Sequence, residues 1–441
     1  MIKQKTKGKM WIISFSDDLK NQRIAYNLKH LAPDKKIINV DNYENIPDID
    51  KNLWQKNKKL YNFISNIQKI PILSNVSFNI LNKFQTIKNI YFKKQNQNPD
   101  PTFILKQIYE LIQKGWGKHL IEFLKNQNKE LPIISDLNIP LFMAEYYNYP
   151  SKICQIVYRS DIQRSILPLN IIQSKIIYFA STENVAQKLL QYGVLKENIF
   201  LTGYPLPKEN IGKINQYEII KKNIKNRILN LAPKKNYSKN FQDLISKNIG
   251  RLPKQSNHKL TIMFCAEEIE KQKTIAILML KNLAYMLQNE SINLIISCGL
   301  NEENKQFFLK EILKLRLGLN IDKNIFIIYD PLPQKYFKLF NEALNRTDIL
   351  WTNPNELVFY AALGIPIILS PSKNLNEKIN EKWLIENEAG IKQQDPKYTN
   401  EWLFDLIREG KLAEMAINGF IKFKKDGLWE IEKIVKLSAT F

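Results

Sequence analysis

Short apolar runs, each followed by a stretch with helical spacing, recur along this chain in two separate series. Runs this short, bounded by polar turns and alternating with helices of roughly 10–15 residues, specify a parallel sheet with crossover helices. In the first series Met10–Phe15 leads into Ser16-Asp17-Asp18 and a helix through about Leu31, and KKIINV follows as a strand. The helix PTFILKQIYELIQKGWGKHLIEFLKNQ precedes the strand LPIISD, which ends at Asp136. SKIIYFAS is the next strand, Thr182–Gly193 a helix stopped by glycine, and ENIFLTGYPLP a strand closed by a Gly/Pro turn. The second series runs KLTIMFCA, a helix over Thr274–Gln288, INLIISCG, a helix around Lys305–Leu317, NIFIIYD, the helix QKYFKLFNEALNRT, DILWT, a helix over Glu356–Leu363 and PIILS.

Between the two series the rhythm is lost. A chain of 441 residues exceeds one ordinary core, so the expectation is two doubly wound α/β domains, 1–217 and 259–441, joined by basic connector helices and a linker at 218–258. Two patches in the mixed region, LYNFISNIQKI and FNILNKFQTIKNIYFKK, carry apolar residues at helical spacing beside lysines. They read as core-facing helices, with a membrane-facing role as the alternative.

The net charge is +22, and it is unevenly placed. Residues 1–257 hold 41 Lys/Arg against 19 Asp/Glu, whereas residues 258–441 hold 24 of each. A basic half attracts anionic partners, such as a lipid surface, nucleic acid or an acidic polymer; the alternative is a face of scattered, solvated lysines. Nucleic acid is disfavoured because arginine is scarce and no helix-turn-helix, zinc or RNP pattern is present. The cysteines Cys154, Cys265 and Cys298 are widely spaced, which fits buried thiols in a reducing cytoplasm rather than a disulfide framework. The apolar part of the N-terminus is too short for a signal peptide, and no run reaches transmembrane length. Any membrane attachment is therefore expected to be peripheral, on the cytoplasmic face. No metal-ligand spacing is evident, and no cofactor is expected.

Ligands of open parallel sheets bind beyond the carboxyl ends of the strands. After DILW come Thr352, Asn353, Pro354 and Asn355, then Glu356 and a helix. Hydroxyls, amides and the free N–H groups of a helix start suit a diphosphate. Glu356 would repel phosphate but can accept from both hydroxyls of a ribose. The simpler alternative is that Asn355 or Thr352 caps the helix and Glu356 favours its dipole.

The segment TNPNELVFYAALGIPIILSPS, followed by Glu377, Asn380, KWL and ENEAGI, resembles the donor-binding half of GT-B glycosyltransferases. The nearest type is the bacterial enzymes that move a sugar from UDP to a lipid-linked acceptor, such as the peptidoglycan N-acetylglucosaminyltransferase and the diacylglycerol glycosyltransferases. FASTENVAQKLLQYGVLKENIFLTGYPLP and IIYDPLPQKYFKLFNEALNRTDIL resemble two further passages of that family, in the same order. The resemblance implies two Rossmann-like domains facing a cleft and a nucleotide-sugar donor, UDP-linked. It assigns Glu356 to the ribose, and Thr352, Asn353 and Asn355 to the diphosphate. It assigns the backbone around Tyr329–Leu332 to the base, and Asn380, with Glu377 in place of the usual Gln, to the sugar or phosphates. Two family loops differ: SFSDDLKNQR and FCAEEIEKQKT stand where Gly-rich turns are usual.

An inverting, metal-independent transfer needs a base for the acceptor hydroxyl. Asp17, Asp18 and Asp136 follow apolar runs and are the candidates, with Glu145 as an outlier; N-capping is the competing role for Asp17 and Asp18. The acceptor is expected to be anionic or lipid-linked. Three rivals remain: a UDP-sugar epimerase relative, which would need His near the site; a silent nucleotide-sugar-binding or membrane-surface scaffold; and a nucleic-acid binder.

Overall fold

The computed structural model describes residues 9–16, 18–56, 100–159, 162–235, 237, 240–266 and 272–437. The amphipathic patches between Leu60 and Lys94 lie outside them, as does Asp17. The chain divides into two compact units, one made of Met1–Pro205 with Asp426–Phe441 and the other of Leu206–Lys425.

In the first unit the strands are β1 (Trp11–Ser14), β2 (Ile38–Asn39), β3 (Ile133–Ser135), β4 (Ile153–Val157), β5 (Ile177–Ala180) and β6 (Ile199–Leu201). They form one parallel sheet in the order β2-β1-β3-β4-β5-β6, with Ile13 paired to Ile38 and Trp11 to Ile133. Every residue of β1, β3 and β4 is buried, the signature of a sheet covered on both faces. Helix α1 (Leu19–Leu28) follows β1.

The expected single helix before β3 is two, α2 (Phe103–Gln113) and α3 (Lys118–Asn128). Gly115 and Gly117 break it at φ 107° and 79°, a region closed to most side chains. At Gly117 a Cβ would also run into the Met143 side chain. Helix α4 (Asn138–Tyr146) and strand β4 were not marked by the apolar rhythm. In β4, Gln155 interrupts the apolar run and is nevertheless buried. Helix α5 (Glu183–Gln191) starts where expected, its Thr182 hydroxyl accepting from the Val185 N–H. The unit ends with the returning helix Gly427–Leu437, whose Leu428 and Ile431 are buried.

The second unit holds β7 (Thr261–Cys265), β8 (Asn293–Ser297), β9 (Ile325–Ile328), β10 (Ile349–Thr352), β11 (Ile367–Leu369) and β12 (Gly390–Lys392). All are parallel, in the order β12-β11-β10-β7-β8-β9. This is the doubly wound order, in which the chain fills one side of β7 and then returns to the other.

The division between units differs from the expected one. Residues 218–258 are part of the second unit's body rather than a linker. Helix α6 (Glu218–Leu231) buries Ile220, Ile224, Ile228 and Leu231, and α7 (Gln242–Ile249) buries Ile245 and Ile249. Arg227, on α6, is fully buried and donates to the carbonyls of Thr347 at 2.8 Å and of Leu363 and Gly364 at 3.0 Å. Burial lowers its pKa to about 10, with the Asp348 carboxylate opposing that shift. The helices were expected, but the lysine-rich composition and narrow buried stripe made this one read as a connector rather than as part of a core. The second boundary also moves, since the last helix belongs to the first unit.

Candidate functional site

The second unit's switch point lies between β7 and β10, where connections leave in opposite directions. Three side chains meet beyond the carboxyl ends of its central strands. Asn353 directly follows β10, Ser370 directly follows β11, and Gln272 sits at the start of α8 (Lys273–Gln288), the helix after β7. The Gln272 amide nitrogen donates to Asn353 Oδ1 and to Ser370 Oγ, both at 3.1 Å. Gln272 is 1% exposed, and its carbonyl oxygen has no hydrogen-bond partner among the described residues. One amide thus ties the ends of β10 and β11 to the start of α8 and keeps an acceptor in reserve.

The loop out of β10 is held from two sides. Asn355 caps the next helix, accepting from the Leu357 N–H at 3.0 Å, and its own N–H donates to the Asn353 carbonyl at 2.8 Å. From α11 (Leu375–Glu386), Asn380 donates to the Pro354 carbonyl at 3.2 Å. Asn380 therefore fixes the loop backbone that Thr352–Asn355 present. Glu377 is engaged differently. It accepts from the Lys373 N–H at 2.7 Å and from the Asn374 amide at 2.8 Å, while Asn374 accepts from its N–H at 2.9 Å. That is a reciprocal cap of α11.

Glu356 opens the segment Glu356–Leu363 and is 1% exposed. The segment has the expected bounds but is a 3₁₀ helix, unusually long for that tighter form. All eight of its residues are buried. Two glycines permit this packing. Gly364 ends the segment at φ 69°, and a Cβ there would strike Ile224 of α6. Gly419, on α13 (Lys411–Lys422), lies so close that a Cβ would strike the Ala361 carbonyl. Between them, α6 and α13 clamp the segment that carries Glu356.

Tyr329 and Leu332 flank the turn after β9. The Lys305 ammonium lies 5.0 Å from the Tyr329 ring centre. Leu332 is 53% exposed, and its N–H already donates to Asp330 Oδ1 at 2.8 Å.

The first unit's switch point lies between β1 and β3. Asn21, on α1, donates its side-chain amide to Asp136, which directly follows β3. Gln22 locks the end of β1 by donating to the Phe15 carbonyl and to Asn39 Oδ1, each at 2.7 Å. The Ser16 N–H donates to Asp41 Oδ1 at 3.0 Å, and its hydroxyl bonds the other carboxylate oxygen. Asp18 accepts from the Lys20 N–H at 2.9 Å and the Asn21 N–H at 3.4 Å, so it caps α1. Among the described candidates, Asp136 directly follows a strand at the switch point, and Asp18 caps the helix beside it.

Glu145 lies elsewhere. It sits in the last turn of α4, near the amino ends of the strands, where it accepts from Ser174 Oγ at 2.8 Å and the Lys175 N–H at 2.7 Å. Burial raises its pKa in spite of those bonds. His258 also stands at the amino end of its sheet, before β7, with Nε2 3.1 Å from Asp348 Oδ1. His30 lies 3.9 Å from Glu432, and His119 bonds the Tyr43 hydroxyl at 3.0 Å. None of the three follows the carboxyl end of a strand.

Gln272 and Ser370 were not among the sequence candidates. Ser370 could have been found, because it follows the apolar run PIIL as Thr352 follows DILW. Gln272 lies in a charged stretch whose sequence gives no such cue. All three cysteines are buried, and burial pushes the Cys154 thiol up to about 12. Among the described residues no group of three or more His, Cys, Asp or Glu could hold a metal ion, and no helix is long and apolar enough to cross a membrane.

No family model and no curated protein sequence matches the chain. Among solved structures it is similar to the S. aureus MnaA–UDP co-structure, at 14% identity over 96% of this chain and 94% of that one, with a TM-score of 0.46. It is similar to Acinetobacter baumannii MurG at 12% identity over 78% and 82%, with a TM-score of 0.40. It is also similar to a glycosyltransferase from Rickettsia africae at 14% identity over 98% and 99%, with a TM-score of 0.39.

Proposed function

We propose that this chain transfers a sugar from a nucleotide donor, UDP-linked, to an acceptor hydroxyl. The observation that supports this most is the second unit's switch point. There Gln272, at a helix start, joins Asn353 and Ser370 at two strand ends, beside a loop and helix start carrying Thr352, Asn355 and buried Glu356. The diphosphate lies against the loop and helix start, where N–H groups and amides offset its charge. The ribose hydroxyls donate to Glu356. A helix start also stabilises charge on the leaving diphosphate as the glycosidic bond breaks.

In the first unit Asp136 takes the acceptor's proton as the acceptor oxygen attacks the anomeric carbon, and configuration inverts. Asn21 orients that carboxylate through its amide. An anionic or lipid-linked acceptor is in keeping with the basic first half of the sequence.

A second reading, donor binding without transfer, is favoured by one observation: Asp18, a candidate base, is committed to capping α1. The test is calorimetry with UDP and UDP-hexoses, followed by product analysis over a panel of acceptors. Sugar transfer supports the first reading. Binding with UDP-sugar consumed in no assay supports the second.

A further inference from the structure

The hydrogen bonds that join Gln272, Asn353 and Ser370 have a direction, and that direction limits what the cluster can bind. A side-chain amide nitrogen carries two hydrogens. In Gln272 one goes to Asn353 Oδ1 and the other to Ser370 Oγ, so both receiving atoms are committed as acceptors. Asn353 keeps its own amide N–H groups and Ser370 its hydroxyl proton, since neither side chain makes a second hydrogen bond among the described residues.

The backbone places these two residues side by side. Thr352 pairs with Leu369 in the parallel register of β10 and β11, and the Ser370 N–H donates to the Thr352 carbonyl at 2.9 Å. Asn353 and Ser370 are the next pair along, one strand spacing apart, which is about 4.8 Å. Two donors at that separation can reach different oxygens of one diphosphate.

We propose that Gln272 is a positioning residue that fixes Asn353 and Ser370 as paired hydrogen-bond donors to the diphosphate of the nucleotide. The inference rests on the donor-site reading of the second unit and adds which end of each side chain faces the ligand. Phosphate oxygens only accept, so a surface that only donates matches them. Gln272 acts through its two neighbours, and its own carbonyl oxygen stays buried and unpartnered on the far side of the amide.

The test is calorimetry on the full chain with UDP and with uridine, which lacks the phosphates. Gln272→Met keeps the length of the side chain and removes its amide. It should weaken UDP roughly tenfold and leave uridine within about twofold. Gln272→Glu accepts where glutamine donates, so it turns both protons back towards itself. It should weaken UDP roughly a hundredfold, again with little change for uridine. The losses should not add, because Gln272 works through the other two. In an Asn353→Ala/Ser370→Ala background, Gln272→Met should cost less than about twofold more. Unchanged UDP affinity in Gln272→Met would overturn the proposal and leave the nucleotide site standing. So would equal losses for UDP and uridine, or full additivity. Absence of UDP binding by wild type would instead defeat the donor-site reading, and this proposal with it.

Discussion

Both sheets are parallel and six-stranded, but they differ in strand order and at their switch points. In the second unit the strand ends are knitted by neutral amides and hydroxyls, with Gln272 at the centre and Asn380 holding the loop beside it. In the first unit the corresponding place holds carboxylates, Asp41 and Asp136, each fixed by N–H or O–H donors from neighbouring segments. A neutral, pre-shaped cradle suits a ligand that brings its own negative charge. An acidic strand end suits the removal of a proton. Parallel α/β sheets thus suit opposite chemistries, depending on which side chains follow the strands.

Substitutions should separate these roles, and the largest effect is expected in the first unit. Asp136→Asn should lower the transfer rate by roughly 10²–10⁴ while leaving UDP affinity unchanged. Initial rates and calorimetry on the same preparation check both halves. A parallel loss of UDP affinity would erase the contrast.

In the second unit Glu356→Gln should weaken UDP by roughly a hundredfold, as expected when hydrogen bonds to a charged group are lost. The 2′,3′-dideoxy analogue should bind wild type and variant alike. Asn380→Ala frees the Pro354 carbonyl and should cost about tenfold in affinity through loop disorder. Asp136→Asn and Asn380→Ala should therefore fall on opposite axes, rate and affinity.

The smallest effect is a pH contrast. In the first unit burial raises the pKa values of Asp50 and Glu145. Their folded forms keep a proton to higher pH than the unfolded chain does, so stability falls as pH rises from about 4. In the second unit Glu218, Glu290, Glu302 and Glu388 are lowered by hydrogen bonds and nearby lysines. Their contribution is present above the unfolded value and is lost as pH falls. Glu218, Glu302 and Glu388 are exposed and Glu290 is partly so, so solvent and salt weaken the effect. Hydrogen exchange resolved by region should show the first unit gaining protection relative to the second on mild acidification. The reverse ordering would contradict the assignment.

The architecture was legible because a strand covered on both faces is mostly apolar, and β1, β3 and β7 carry only a serine or threonine at one end. β4 was missed where Gln155 interrupts that pattern, and α6 was read as a connector helix because lysines flank a narrow buried stripe. The donor-side loop was legible because small polar residues follow DILW at once and a carboxylate opens the next helix. Its supports were not. Gln272 reaches Asn353 across 81 positions of sequence, and the Gly364–Ile224 and Gly419–Ala361 contacts bring distant segments together. Such pairings arise from the packed sheet, and nothing local encodes them. Asp18 shows the converse: its place after a strand suggested chemistry, but the first turn of α1 needed a cap.

The central claim is that Glu356 and the cradle around Gln272 form a nucleotide site. Calorimetric titration of the full chain with UDP, repeated with Glu356→Gln, tests it most directly. Saturable binding by wild type that falls roughly a hundredfold in a folded Glu356→Gln variant is the predicted result. No heat of binding with UDP, or equal affinity in the two proteins, would contradict it.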